Sequence, residues 1–241
     1  MARTTATGST VELLLADGRF PGGGFAHSGG LEAAVSERAV FDVTTLAAFA
    51  EGRLWACGPL EGWLAAQACR AAHHDPDHDA DHDHDHDPDP ELHPDQVRLA
   101  WLEAEAEAHQ PSSALRAASR AQGRGLRRAA AVLFPQLDLG PIEVLTVVTG
   151  VVAAAAGLSP QAAARLAVWG SLMSTVSAAP KLMALDMIDA TAIALRLAPS
   201  VDRISEAASA SADLAPPISS APMMELRAQR HVTWEVRLFA S

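Results

Sequence analysis

Tyrosine is absent, lysine occurs once, and Phe and Trp together supply only 5% of the chain. Runs of Val, Ile and Thr, which favour strands, are few, and Ala dominates the apolar residues. A β-rich fold is therefore not expected, and closely packed helices with small side chains are. The only lysine, Lys181, is followed by Leu182. A phosphate-binding P-loop needs Lys followed by Ser or Thr to hold phosphates and magnesium, so the chain is not itself a P-loop GTPase or ATPase. Its two cysteines, Cys57 and Cys69, match neither a zinc-ligand spacing nor a secreted disulfide framework. The opening MARTTATGST lacks the apolar core of a signal peptide, and a cytoplasmic location is the expectation. The longest uncharged stretch, 144–164, is interrupted by Gly150, Gly157, Ser159 and Pro160 and reads as buried core helix rather than a membrane span.

What is present is an apolar content of 49% in 241 residues, enough for a substantial core. The formal charge of -11 is concentrated in ten acids, Asp75 to Asp95, in a stretch without Lys or Arg. Removing these leaves 19 acidic residues against 18 basic ones, so no global nucleic-acid footprint exists.

Helical periodicity recurs along the chain. A first helix is expected over 11–17, capped by Ser9 or Thr10, then a tight Gly-rich loop at 18–25 and a helix over 27–38. Apolar residues from Leu46 to Leu64 recur at helical spacing, and Gly58-Pro59 predicts a break into two helices between 44 and 72. Residues 74–93 are low-complexity Asp/His/Pro with almost nothing to bury, which predicts a disordered insertion. Helix starts follow at Pro94, Pro111-Ser112-Ser113, Pro141 and Ser159-Pro160. Pro180 is expected to bend or end a helix over 172–197, and a last helix is expected over 223–234. The expected fold is all-α: a single helical domain of about ten helices spanning 1–241, with the Asp/His-rich insertion at 74–93 and a tail at 235–241.

Ser28, beside His27 and near three glycines, superficially suggests a nucleophile, but no G-x-S-x-G elbow exists, and capping of the following helix is the plainer reading. Seven of the ten histidines fall between His73 and His93 among carboxylates, a ligand mixture that suits nickel or zinc. His78, His82, His84 and His86 are the candidates for weak metal binding, and a solvated insertion with incidental affinity is the competing reading. Arg116, Arg120, Arg124 and Arg127 or Arg128 share a helical face, open either to a partner or to internal pairing with Glu103, Glu105 and Glu107. Gly123 and Gly125 lie inside the same helix, as a close backbone approach or as simple tolerance.

The stretch from Ala16 through Asp17-Gly18-Arg19-Phe20-Pro21-Gly22-Gly23-Gly24-Phe25-Ala26-His27-Ser28-Gly29-Gly30-Leu31 to Glu32 resembles the N-terminal signature of the urease accessory protein F family. Arg116, Ser119, Gln122 and Gly123 resemble its second signature, and Arg237-Leu238-Phe239-Ala240-Ser241 its C-terminal motif. The Asp/His insertion departs from the common pattern, as does His27 where an aromatic often stands. The resemblance implies a helical, homodimeric, non-enzymatic adaptor without a resident cofactor. It implies a complex with UreD (also called UreH) and the GTPase UreG that inserts nickel into apo-urease, the metal being handled transiently. The tail would dock on UreD through Arg237, Leu238 and Phe239. The remaining partner-binding candidates are Pro21, Gly23, Gly24, Phe25, His27, Ser28, Glu32, Arg116, Ser119 and Gly123. No nucleic acid and no membrane are implied as partners.

Overall fold

The computed structural model describes residues 8–21, 27–73, 94–135, 137, 139–211 and 215–239. Among these residues there are nine helices: α1 (Gly8–Ala16), α2 (Leu31–Ser36), α3 (Val43–Ala72), α4 (Pro94–Ala108), α5 (Ser113–Leu133), α6 (Leu145–Ala155), α7 (Pro160–Leu182), α8 (Met187–Ala210) and α9 (Pro222–His231). The described residues contain no strand, as the residue preferences predict. The Asp/His segment at 74–93 lies outside the described residues, and with it His78, His82, His84 and His86.

Helix α3 is the axis around which the others pack, meeting α6, α7 and α8. Its first half joins α2, α7 and α8 in one core built on Leu31, Leu46, Leu54, Val176 and Val201. Its second half joins α4, α5 and α6 in another, built on Trp63, Leu64, Leu102, Val147 and Val151. A third cluster, Ala65, Cys69, Ala153, Ala162 and Ala163, is a layer of small side chains that lets α3, α6 and α7 approach closely. The abundance of alanine is thus spent on helix crossings. Trp63 closes the second core, its Nε1 donating to the Ser211 carbonyl at 3.0 Å and its ring meeting Trp101 edge-on at 6.1 Å.

Several boundaries differ from expectation. Helix α3 runs unbroken through Pro59, whereas Gly58-Pro59 predicted two helices. A proline inside a helix costs about 3 kcal/mol. Burying Leu54, Leu60, Trp63 and Leu64 on both sides offsets it, at roughly 1.5–3 kcal/mol for each large side chain. Gly58 and Gly62 further bind the helix to its neighbours: a Cβ at Gly62 would lie 3.1 Å from Val168 and 3.2 Å from Ala208. The capping box at its start, with the Asp42 carboxylate accepting the Thr45 amide at 2.7 Å, fixes the direction of entry.

Helix α1 covers Gly8–Ala16, so Ser9 and Thr10, expected to precede the first helix, stand inside its range. Helix α2 starts only at Leu31, because Gly29 and Gly30 hold φ values of 59° and 86°, outside the right-handed helical region. Pro141 does not open α6, which starts four residues later, and Gly150 lies within α6 rather than ending it. The stretch expected over 172–197 is two helices: α7 ends at Leu182, two residues past Pro180, and the Asp186 carboxylate caps α8 by accepting the Ile188 amide at 2.9 Å. Helix α9 ends at His231, three residues short of the expected end. Ser112 and Ser159 cap α5 and α7 as expected, each hydroxyl accepting an amide three residues on, at 3.3 Å and 3.2 Å. No described helix is long and apolar enough to cross a membrane.

Candidate partner-binding site

Two joints gather the residues singled out in the sequence. The first lies where α5 meets the entry to α6. Gly123 faces the backbone of Glu143 so closely that a Cβ there would lie 1.8 Å from the Glu143 carbonyl oxygen. The glycine is therefore required by a backbone approach, and simple tolerance does not account for it. Ser119 accepts the Leu145 amide at 3.2 Å, satisfying one of the unpaired donors at the start of α6. The Glu103 carboxylate on α4 accepts the amides of Glu143 and Val144, both at 2.5 Å.

The arginine face is absorbed in the same joint. Arg116 donates to the carbonyls of Gln110 at 2.7 Å and Pro111 at 2.8 Å. Arg120 pairs with Glu107, Arg124 with Glu143 at 3.0 Å, and Arg127 donates to the Gly140 and Ile142 carbonyls. Of the three acids expected to pair with this face, Glu107 does so, while Glu103 accepts backbone amides and Glu105 lies 3.6 Å from His109; Arg120 and Arg124 remain exposed.

The second joint lies around α2. Pro21 is exposed, while Gly23, Gly24 and Phe25 lie outside the described residues. His27 and Ser28 are buried, and Ser28 Oγ accepts the Glu32 amide at 3.3 Å. Ser28 thus serves the first turn of α2 although the cap position itself is Gly30. Gly29 admits no side chain, since a Cβ would lie 2.8 Å from Thr175 Oγ1 and 3.1 Å from Arg53 Nε.

Glu32 projects from α2 into the base of the C-terminal segment. One carboxylate oxygen accepts the Leu238 amide at 2.8 Å and the other the Phe239 amide at 2.9 Å. His231 Nε2 lies 3.0 Å from the second oxygen, and its ring meets Trp234 edge-on at 4.7 Å. The Phe239 ring enters the core of α2, α3, α7 and α8, and Lys181 Nζ sits 5.5 Å above it. Arg237 and Leu238 are exposed. The structure therefore brings the N-terminal signature and the C-terminal motif together, with Phe239 turned into its own chain.

A cavity of about 490 Å³ connects the two joints, lined by Phe20, His27 and Gly29 from one and Ser119, Gln122 and Leu145 from the other. Cys57 lies on its wall, and burial pushes its thiol up to about 11. Cys69, deeper between α3 and α6, is pushed up to about 12 for the same reason. Both are free, protonated thiols at neutral pH. No group of three or more His, Cys, Asp or Glu side chains is placed to hold a metal ion among the described residues.

Sequence reasoning did not find His231, Lys181 or Glu225 as participants. Glu225 seats α9 on α5 by accepting the Ser112 amide at 2.6 Å, and desolvation raises its pKa. One signal was available for His231: it is one of only three histidines outside the 73–93 stretch.

Comparison with known proteins supplies the context for this geometry. Residues 40–198 match the family model described as UreF. The urease accessory protein UreF of Mycolicibacterium vanbaalenii is 38% identical over 233 residues, covering 95% of this chain and 97% of that protein. That of Mycobacterium sp. strain JLS is 37% identical over 236 residues, covering 96% and 98%. That of Mycobacterium tuberculosis strain H37Rv is 34% identical over 229 residues, covering 93% and 95%. Glu32 and the C-terminal motif both fall outside the span of the family model.

Proposed function

The chain belongs to the UreF family of urease accessory proteins, and on that premise we propose that it is a non-catalytic adaptor in urease maturation. With UreD it recruits the GTPase UreG and assists the insertion of nickel into apo-urease. Nickel is cargo of the complex rather than a resident cofactor, and the adaptor acts in the cytoplasm as a homodimer. The observation that carries this reading is the kinship to proteins named urease accessory protein, which extends over nearly the whole chain.

The chemistry of the chain agrees with such a division of labour. Lys181 is followed by Leu182, so the P-loop chemistry of GTP hydrolysis has to come from another subunit. Ser28 is buried and accepts the Glu32 amide, which supports a structural role over a nucleophilic one. Exposed apolar residues lie in and beside the tail, among them Val232, Val236 and Leu238, as a docking surface requires.

The test is to mix the purified chain with UreD and UreG and measure the mass of the complex by light-scattering chromatography, for the full chain and for a truncation lacking 235–241. A complex that depends on the tail is the expected result; absence of any complex with either protein would contradict the adaptor reading. Deleting 74–93 separates this reading from metal storage by His78, His82, His84 and His86. Urease activation at ample nickel should survive the deletion, and its loss would shift the main activity to metal delivery.

A further inference from the structure

Helix α1 is apolar on more than one face. Leu15 and Ala16 pack against the small-residue cluster of α3, α6 and α7, while Leu13 and Leu14 are 73% and 56% exposed. A helix with apolar residues on both sides has two faces to cover, and α1 covers one. Beside the open face lies a second cavity, of about 400 Å³. Its apolar wall is made by Leu13 and Ala16 of α1, Leu166 and Trp169 of α7, and Ala198 and Val201 of α8. Ala16, Leu166 and Trp169 also line the larger cavity between the two joints, and so form the partition between the two spaces.

Three charged side chains complete the lining: Glu12, Arg165 and Asp202. Arg165 is committed, its Nε and Nη2 donating to the two Glu12 carboxylate oxygens at 2.6 Å and 3.0 Å, which pins α1 to α7. Asp202 is exposed, acts on Arg165 only at a distance, and makes no hydrogen bond or ion pair among the described residues. Two carboxylates against one guanidinium leave an uncompensated negative charge beside the apolar wall. The complementary group is an apolar side chain with a cation next to it. A small amine would fill the cavity but leave Leu13 and Leu14 bare, whereas a protein segment covers both. The site is also separate from the C-terminal segment. Leu166 and Lys181, the residue above the Phe239 ring, both lie on α7 and are about 22 Å apart at 1.5 Å per residue.

We propose that the cavity between α1, α7 and α8 is a docking site of its own: it receives an aromatic or branched aliphatic side chain of a partner protein, while a Lys or Arg beside that side chain pairs with Asp202. The inference rests on the adaptor reading and deepens it, giving the adaptor a surface for a partner that can bind while the C-terminal segment is occupied. The cavity stands open without a partner, so filling it requires no rearrangement of the helices. The Glu12–Arg165 pair fixes the position of α1 and with it the Leu13 side of the entrance.

The test is calorimetric titration of the full chain with UreD, UreG and apo-urease, one at a time, for the wild type and two variants. Ala198→Trp fills the cavity from its own wall, and Asp202→Lys reverses the free charge at an exposed position where the fold does not depend on it. Both should lower the affinity for the same one of the three proteins by at least about tenfold. Rising salt should weaken that complex in the wild type and leave Asp202→Asn nearly unaffected, because the exposed pair is screened. A photoreactive benzoylphenylalanine in place of Leu13 should crosslink to the same protein, within a few residues of a Lys or Arg. Wild-type affinity for all three proteins in both variants would overturn the proposal and leave the adaptor reading standing. Crosslinking of position 13 only to a second copy of this chain would overturn it too, by making the cavity a contact between copies. A wild-type chain that binds none of the three would defeat the adaptor reading and the docking site with it.

Discussion

The joint between α5 and α6 and the clamp between α2 and the C-terminal segment are both contacts between a helix and a non-helical stretch, but they are made of opposite materials. At the first, Gly123 meets the Glu143 carbonyl through the absence of a side chain, as Gly150 of α6 meets the Ala65 carbonyl of α3 at a separate helix crossing. At the second, one side chain, Glu32, makes the contact with both amides. Backbone against backbone has no adjustable part, so the first joint is a fixed piece of the scaffold. A carboxylate holding two amides at a chain end can be released without unfolding the rest, because terminal segments open locally at lower free energy than the core.

That contrast is most easily broken at Gly123. A methyl group there has to displace the Glu143 backbone, so Gly123→Ala should destabilise the fold by about 3 kcal/mol or more. The thermal midpoint should fall by roughly 6–12 °C for a chain of this size. Gly150→Ala should behave alike, since its Cβ would lie 2.3 Å from the Ala65 carbonyl oxygen. An unchanged midpoint in scanning calorimetry for either variant would refute the close-approach account.

Phe239→Ala should have a smaller effect on the whole. A buried Phe→Ala change in a core costs about 3–5 kcal/mol. The terminal segment can detach instead, so the global loss measured by urea denaturation should not exceed about 2 kcal/mol. A loss as large as that of Gly123→Ala would make the tail part of the cooperative core and erase the distinction between the two joints.

Much of the scaffold can be read from single residues, and the reasons for the exceptions are physical. Ser112 and Ser159 announce helix starts because a cap depends on neighbours three residues away. Pro59 misleads because its local penalty is overridden by burial against helices distant in sequence. In the sequence Gly123 fits either a close approach or mere tolerance, and only the position of Glu143 decides. The candidate site divides in the same way. Glu32 and the 237–239 motif are each visible in the sequence, but nothing local says that one accepts the amides of the other.

The finest probe is the alkaline response of the cysteines. Burial raises the Cys69 thiol to about 12 from an ordinary value of 9.0, so the folded state resists losing that proton. The stability this contributes is fully present below pH 9 and is lost as pH climbs from 9 towards 12, because the unfolded chain ionises first. Cys57, raised to about 11, adds the same trend over a narrower window. Cys69→Ala should therefore flatten the fall of stability above pH 9 in chemical denaturation, and an identical alkaline limb would count against the buried thiol. At pH 8 both thiols should alkylate slowly. Gly123→Ala should speed the reaction, and Glu32→Gln should not, since only the first variant loosens the core.

Native-state hydrogen exchange measures the clamp between Glu32 and the C-terminal segment amide by amide. The Leu238 and Phe239 amides should exchange at least about tenfold more slowly than those of Val236 and Arg237, because only the first pair is held by the buried Glu32 carboxylate. Equal, fast exchange at all four positions would contradict a preformed tail.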